Sequence, residues 1–298
     1  MAILAGALNL LGAPPRPARP DVLLVPVPHE WGGMIAAPDT ALLEPSATAP
    51  GLMLPKIATD GRTARVVYAR PTPPADGRPR IAVVLSGMAL SEADSLAAIR
   101  SLPPTITYAV SPYAANAAPV LDAARAHGNE LLASIPMEAA GTDSAGRRAL
   151  LTGASDAENQ ANLEWVLGRT QGYAGTTGAG DNGLRGERFA AQQSSFGSML
   201  EQIAQRGLFY VDSRPGTESL TIASARVGIV IDEPPTRADI EGRLAAAEQM
   251  ARERGSVVAL AGPPRRIVVE QIVTWAETLE ARGFVLVPVS ALVTSPTP

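Results

Sequence analysis

The chain contains no cysteine and only two histidines, His29 and His127, among its 298 residues. Without thiols there are no disulfides, no thiolate nucleophile and no cysteine-based zinc or iron–sulfur site. Both cytoplasm and envelope accommodate such a chain, so this absence leaves the compartment open. Two imidazoles are a severe constraint on hydrolytic zinc, most sites of which take two or three. Runs of Lys and Arg are missing as well. A net charge of −4 spread along the length carries no nucleic-acid footprint, which requires clustered cations. Met1–Leu11 is apolar but stops at Gly12, far short of the ~20 residues of a membrane span. It reads either as a weakly packed terminus or as the tail of an export signal or anchor. The glycine-rich run Gly178–Gly183 lacks the Lys-Ser/Thr of a phosphate-binding loop and reads as a flexible lid, and no calcium-loop spacing occurs. No cofactor is expected.

What is present is ample material for a core. Apolar residues make up 46 % of the chain, which excludes global disorder and suits one large domain behind an N-terminal appendage. The organising stretch is Arg80-Ile-Ala-Val-Val-Leu-Ser-Gly87, a short apolar run rich in β-branched residues and stopped by Ser-Gly. That pattern predicts a strand buried on both faces, as in parallel sheets. Ser91-Glu-Ala-Asp94 follows as a helix-capping signal, predicting a helix to about residue 101.

The same strand-then-helix unit recurs to the C-terminus. Strands are predicted at 106–110, 130–133, 173–177, 208–211, 229–231, 257–260 and 285–287. Helices are predicted from Asn116 to Gly128, from the capping box Ser155-Asp-Ala-Glu158 to about Thr170, over about 191–206, from Thr236–Asp239 to Arg254, and up to Arg282. Seven or eight such units predict an α/β fold, an irregular (β/α) barrel, with a doubly wound open sheet as the alternative. Residues 13–79 are rich in Pro, Ala and Gly and read as an extended arm rather than a separate globule. Within it Val22–Val25 is a candidate edge strand, and Leu54–Ile57 with Ala64–Tyr68 a candidate hairpin around Asp60-Gly61. The organisation is therefore an apolar segment 1–12, an arm 13–79, a barrel domain 80–293 and a tail 294–298.

Several segments in order resemble the divergent branch of the polysaccharide deacetylases. They are Pro79–Val84, Leu102-Pro-Pro104 with Ser111-Pro-Tyr113, His127-Gly128, and Ile135-Pro-Met-Glu138. Then come Leu150-Leu-Thr-Gly153 with Glu158-Asn159, Arg206–Ser213, and the ending Leu279–Gly283 with Val287–Leu292. The resemblance implies a barrel of the bacterial cell envelope, in the periplasm or anchored at the inner membrane facing it. In active relatives a metal polarises an acetamide and activates water. Two aspartates would end the first strand, a ligand histidine would follow the fourth, and Gly-His-Pro would follow the seventh. This chain departs at all three places. It has Ser86-Gly87 for the aspartates, Gly178-Ala-Gly180-Asp181 without a histidine, and Ala261-Gly262-Pro263. Ser86, Gly87, Gly180 and Gly262 thus mark degenerate catalytic positions, and these departures imply no metal site. The remaining histidines do not compensate: His29 lies in the arm, and His127 suits a helix C-terminus.

Polar groups still stand at the predicted strand ends: Ser86, Ser111, Ser134, Glu138, Asp212 with Ser213 and Arg214, and Asp232 with Glu233. Glu138 and Asp212 match family positions. Following Phe209–Val211, Asp212 is expected to aim into the barrel mouth, with Arg214 reaching the same space. Glu138, Asp212 and Arg214 are the candidate binding residues. Asp232 and Glu233 read as helix caps or partners of loop amides. Arg252, Arg254, Arg265 and Arg266 read as a solvated face, with a docking patch for an acidic partner as the alternative. The leading functional reading is a non-catalytic barrel that binds an envelope glycan or envelope protein. A second is a carbohydrate hydrolase using Glu138 and Asp212 without the usual metal centre. A third is an interaction protein acting through the arm.

Overall fold

The computed structural model describes residues 33–141, 146–179, 185–218 and 220–295. The segment Met1–Leu11, the island Val22–Val25, His29 and Gly180 with its neighbours through Gly183 lie outside the described residues.

The arm contributes β1 (Leu43–Pro45), β2 (Met53–Pro55) and the single turn α1 (Ala64–Val67). A hairpin is present, but not the expected one. β2 pairs antiparallel with β1, Leu43 opposite Pro55, while the second expected strand is helical. The reason lies in spacing. Ala64 and Tyr68 are the buried members of that segment, four residues apart, which is a helical repeat and not an alternation. The Asp60-Gly61 turn does form, with Ala58 N–H donating to Arg62 O at 2.9 Å, but it leads into α1.

The barrel follows as β3 (Arg80–Met88), α2 (Glu92–Ser101), β4 (Thr107–Val110), α3 (Ala118–His127), β5 (Leu131–Ile135), α4 (Asp156–Leu167) and β6 (Gly175–Gly178). It continues through α5 (Glu187–Ala191), α6 (Gln193–Gln205), β7 (Phe209–Asp212), β8 (Ser224–Val230), α7 (Arg237–Arg254), β9 (Ser256–Ala261), α8 (Arg266–Leu279) and β10 (Val285–Leu286). Strands β3 to β9 run parallel in sequence order, and β9 pairs back onto β3 from Arg80↔Ser256 to Leu85↔Ala261, closing the barrel. β10 adds beside the start of β3 through Val285↔Arg80 and Leu286↔Ile81, before β4 takes over that edge at Val84. The expected (β/α) barrel is thus a seven-stranded one with a short eighth strand outside the ring.

Local signals account for most of these elements. Ser91 Oγ caps α2 through Asp94 N–H, and Ser155 with Glu158 forms a reciprocal capping box on α4. Asn116 falls one residue outside its expected place. α3 starts at Ala118 with Ala117 as N-cap, and Asn116 Oδ1 still accepts from the Ala118 N–H at 3.4 Å. The helix expected over about 191–206 is α6, preceded by the short α5 across Gln192, whose φ −85° and ψ 84° are not helical. β8 begins at Ser224, earlier than the apolar run suggested, because Ala225 and Val227 bury on alternate positions around the exposed Arg226.

Register determines what fills the barrel. Tyr210 packs edge-on against Phe196 of α6, with ring centroids 6.0 Å apart, so Tyr210 faces the helical layer and Phe209 and Val211 face the bore. Following the pairs Phe209↔Gly175, Gly175↔Leu132, Leu132↔Ala109, Thr107↔Val84 and Val84↔Leu260 puts Leu132, Ala109, Val84 and Leu260 inside with them. All are buried, so the bore is packed core and not a channel. Beneath it Glu130, fully buried, accepts from the backbone N–H of Arg70 and of Ser290 and from the Thr107 hydroxyl, at 3.1–3.3 Å. One carboxylate therefore ties the arm, β4 and the chain end together. Burial pushes its pKa up against those three donors. Among the described residues no helix is long and apolar enough to cross a membrane.

Candidate functional site

In barrels of this kind chemistry sits where the strands end. β3 ends in a bulge: its pairing with β4 shifts between Leu85 and Met88, so Ser86 and Gly87 lie in the irregularity. Gly87 has φ 72°, in the left-handed region that glycine adopts freely. Ser86 is fully buried, and its hydroxyl has no hydrogen-bond partner.

Against Ser86 stands the end of β9. Gly262 has φ 141°, and a Cβ built on it would lie 2.5 Å from Ser86 O, 2.8 Å from Ser86 C and 2.9 Å from Ser86 N. Side-chain carbons do not approach backbone that closely. The two strand ends that would carry metal ligands in the resembling family therefore touch backbone to backbone. Gly262 N–H donates to Asp232 Oδ2 at 3.1 Å, which holds the end of β8 to the same place.

Asp232 is the buried carboxylate of this mouth, and Arg265 Nη1 lies 3.7 Å from its Oδ2. Burial pushes its pKa up; the Gly262 N–H and the Arg265 charge oppose the rise, and neighbouring Glu233 adds to it. Arg185 pairs with Glu233, and Ser213 Oγ donates to Arg185 O at 3.5 Å. The rim is thus crossed from the segment after β6 to the segment after β8, over the end of β7. Glu138 follows β5. Its Oε2 accepts from the Thr152 hydroxyl at 2.6 Å and the Thr152 N–H at 2.7 Å, and Arg188 Nε lies 3.1 Å from Oε1. The Thr152 hydroxyl and then its N–H hold this carboxyl below its ordinary value.

Asp212 is not in the mouth. It lies two residues beyond Tyr210 and so shares the helix-facing side of β7. Arg214, whose Nη2 and Nε lie 2.6 and 2.9 Å from the two Asp212 oxygens, sits 4.9 Å over the ring of Phe196. Arg214 N–H adds a third bond to Oδ1 at 3.1 Å. The carboxylate is completely buried and engaged within its own turn. Burial lowers the Arg214 pKa, but the Asp212 bonds and charge outweigh it and the net shift is upward. The expected mouth position fails because parity along β7, set by Phe196 on another element, decides the face. Glu138 and Asp212, the two carboxylates of the hydrolase reading, belong to separate networks.

Three of the four arginines near β9 are engaged by separate partners. Arg252 pairs with Glu248 and covers the Phe284 ring, Arg265 turns to Asp232, and Arg266 pairs with Glu270. His127 is the last residue of α3, as expected, with Nδ1 2.9 Å from Asn129 Oδ1.

Asp232 and Arg265, which sequence reasoning reads as a cap or loop partner and as part of a solvated face, meet at the mouth. The signal for Asp232 was the one used for Asp212, a carboxylate directly after an apolar strand. As for a hydrolytic metal, the residues at the implied positions do not fit one. At the described ones among them, Ser86 offers a hydroxyl and Gly87 and Gly262 no side chain, which supplies neither carboxylate nor imidazole, and a Cβ on Gly262 would meet the Ser86 backbone. Among the described residues, no group of three or more His, Asp or Glu side chains is placed to hold a metal ion.

The sequence model of the divergent polysaccharide deacetylases matches residues 83–293. The crystal structure of an uncharacterized protein from Agrobacterium tumefaciens C58 shares 30 % identity, covering 81 % of this chain and 100 % of its own, with a TM-score of 0.75. A putative cellobiose-phosphate cleavage protein from Enterococcus faecalis V583 matches at 11 % identity over 73 % of this chain and 100 % of its own, TM-score 0.51, a likeness of fold. The catalytic domain of a peptidoglycan N-acetylglucosamine deacetylase from Eubacterium rectale ATCC 33656 matches at 11 % identity over 76 % and 95 %, TM-score 0.46. No curated protein matches the chain.

Proposed function

Because the chain belongs to the divergent polysaccharide deacetylase family, we propose that it is a non-catalytic member, which engages a cell-envelope glycan at the barrel mouth without deacetylating it. The observation that carries this reading is the contact between Gly262 and Ser86. Loss of ligands by substitution alone would leave a vacant but reversible centre. Here Gly262, the residue after the Leu85↔Ala261 ladder pair, also packs so tightly on the Ser86 backbone that a side chain in its place would have to displace the strand end. What remains at the mouth is polar and suited to hydroxyl groups: Asp232 with Arg265, the Arg185–Glu233 pair, and Glu138 on the neighbouring loop. Carboxylates accept from sugar hydroxyls and guanidinium groups donate to them.

A location in the bacterial envelope is part of this proposal, and membership of the family supports it. The test is calorimetric titration of the purified chain with chitooligosaccharides and peptidoglycan fragments, alongside metal content by mass spectrometry. Saturable binding with less than one equivalent of zinc, nickel, cobalt or manganese supports the reading. A tightly held equivalent of metal that resists dialysis overturns it.

A further inference from the structure

A second site lies on the flank of the barrel, away from the strand-end mouth. A groove of about 370 Å³ runs between α3, the segment after β4 and the turn after α4, and two guanidinium groups line it, those of Arg125 and Arg169. Arg169 donates from Nε to Pro112 O at 3.1 Å and from Nη2 to Ala114 O at 3.0 Å, and its carbon centre lies 5.4 Å from the Trp165 ring centroid. Carbonyls and an aromatic face fix a guanidinium without neutralising it. Arg125 is only 7 % exposed. Nη2 donates to Gln171 O, Nε is buried with no hydrogen-bond partner, and Nη1 lies 3.3 Å from Asp122, whose side chain is 78 % exposed. The lining therefore holds two cations against one well-hydrated carboxylate, and burial lowers the Arg125 pKa accordingly.

The rest of the lining is mixed. Ala115, Ala118 and Leu121 offer apolar surface, and Asn116 and Thr170 offer side-chain hydrogen bonds. That mixture matches a sugar ring, which has C–H faces and a hydroxyl edge, and the volume is at the small end of ligand pockets. The excess positive charge asks for an anion on the same molecule.

We propose that this groove binds a saccharide of one or two rings carrying a carboxylate, with Arg169 as its principal charge partner. The site is independent of the mouth reading and would stand if that reading fell. The test is titration of the full chain with glucuronate, glucose and inorganic phosphate, followed by calorimetry. Glucuronate is expected to bind saturably and more tightly than either glucose or phosphate, by about tenfold for a charge-assisted hydrogen bond, and to weaken with added salt. Arg169→Ala is expected to lose about tenfold in affinity. Since that variant also releases two loop carbonyls, Ala118→Trp provides a second route. It fills the groove from the exposed start of α3, leaves both arginines in place, and is expected to abolish binding with an unchanged melt. Equal binding of glucose, tighter binding of phosphate than of glucuronate, or wild-type affinity in Ala118→Trp would each overturn the proposal.

Discussion

Replacing Gly262 by alanine adds one methyl group at the place where the barrel closes. The consequence can be worked from the structure. The new carbon would meet three backbone atoms of Ser86 at 2.5–2.9 Å, and no side-chain rotation relieves a clash with backbone. A non-glycine residue held in a positive-φ region costs about 1–3 kcal/mol. Overpacking against a rigid neighbour adds about 1–3 kcal/mol more. At about 2–4 °C per kcal/mol for a domain of this size, the melting temperature should fall by roughly 5–20 °C. Gly242→Ala is the matched control. It lies within α7 with nothing within 4 Å of the added carbon, and alanine is favoured over glycine in a helix by about 1 kcal/mol. Differential scanning calorimetry of both variants should show one large decrease and one small increase. A Gly262→Ala melt within about 2 °C of wild type would mean that the β3 and β9 ends are not in contact, and the argument for a closed centre would fail.

The remaining expectations concern the other strand ends. Ser86→Asp with Gly87→Asp should give no metal-dependent deacetylation, because two carboxylates without imidazoles do not complete a hydrolytic centre; acetate release by that double variant refutes this. Asp212→Ala should cost about 3–5 kcal/mol, as when a buried ion pair loses one partner, while glycan titration of the folded fraction stays unchanged. Urea unfolding at constant m-value checks the first part, and loss of binding without loss of stability contradicts both. Asp232 has a folded-state pKa raised above its ordinary value of 3.8, so the stability it contributes is fully present below that value and lost as pH rises through the folded pKa. Asp232→Asn should remove this decline, and an unfolding midpoint that falls over that window as steeply as wild type would refute the assignment.

How much of this was legible beforehand depended on how far apart the interacting residues lie. The run from Arg80 to Gly87 announced a buried parallel strand because every position from Ile81 on is buried. The cap at Ser91 and the capping box at Ser155 placed two helix starts because their partners are three residues away. Recurrence of the unit predicted a barrel, and closure of β9 onto β3 made it one. The face presented by Asp212 could not be read locally, since it follows from the packing of Tyr210 on Phe196 in another element. The β-branched run after β2 suggests a strand partner for it, but burial of Ala64 and Tyr68 at helical spacing removes that segment from strand pairing. Gly262 was recognised as the place of a missing histidine, but its contact with Ser86 exists only once the first and last barrel strands meet. Arg125 and Arg169 carried no motif at all, and the groove they share is a product of helix placement around the barrel.

The central claim is that this deacetylase-fold barrel binds without turning over. Its most direct test is acetate release from N-acetylated chitooligosaccharides by the wild-type chain, incubated in turn with zinc, nickel, cobalt and manganese. The account predicts release no faster than the protein-free blank with every metal. Metal-dependent release that rises in proportion to protein concentration would contradict it.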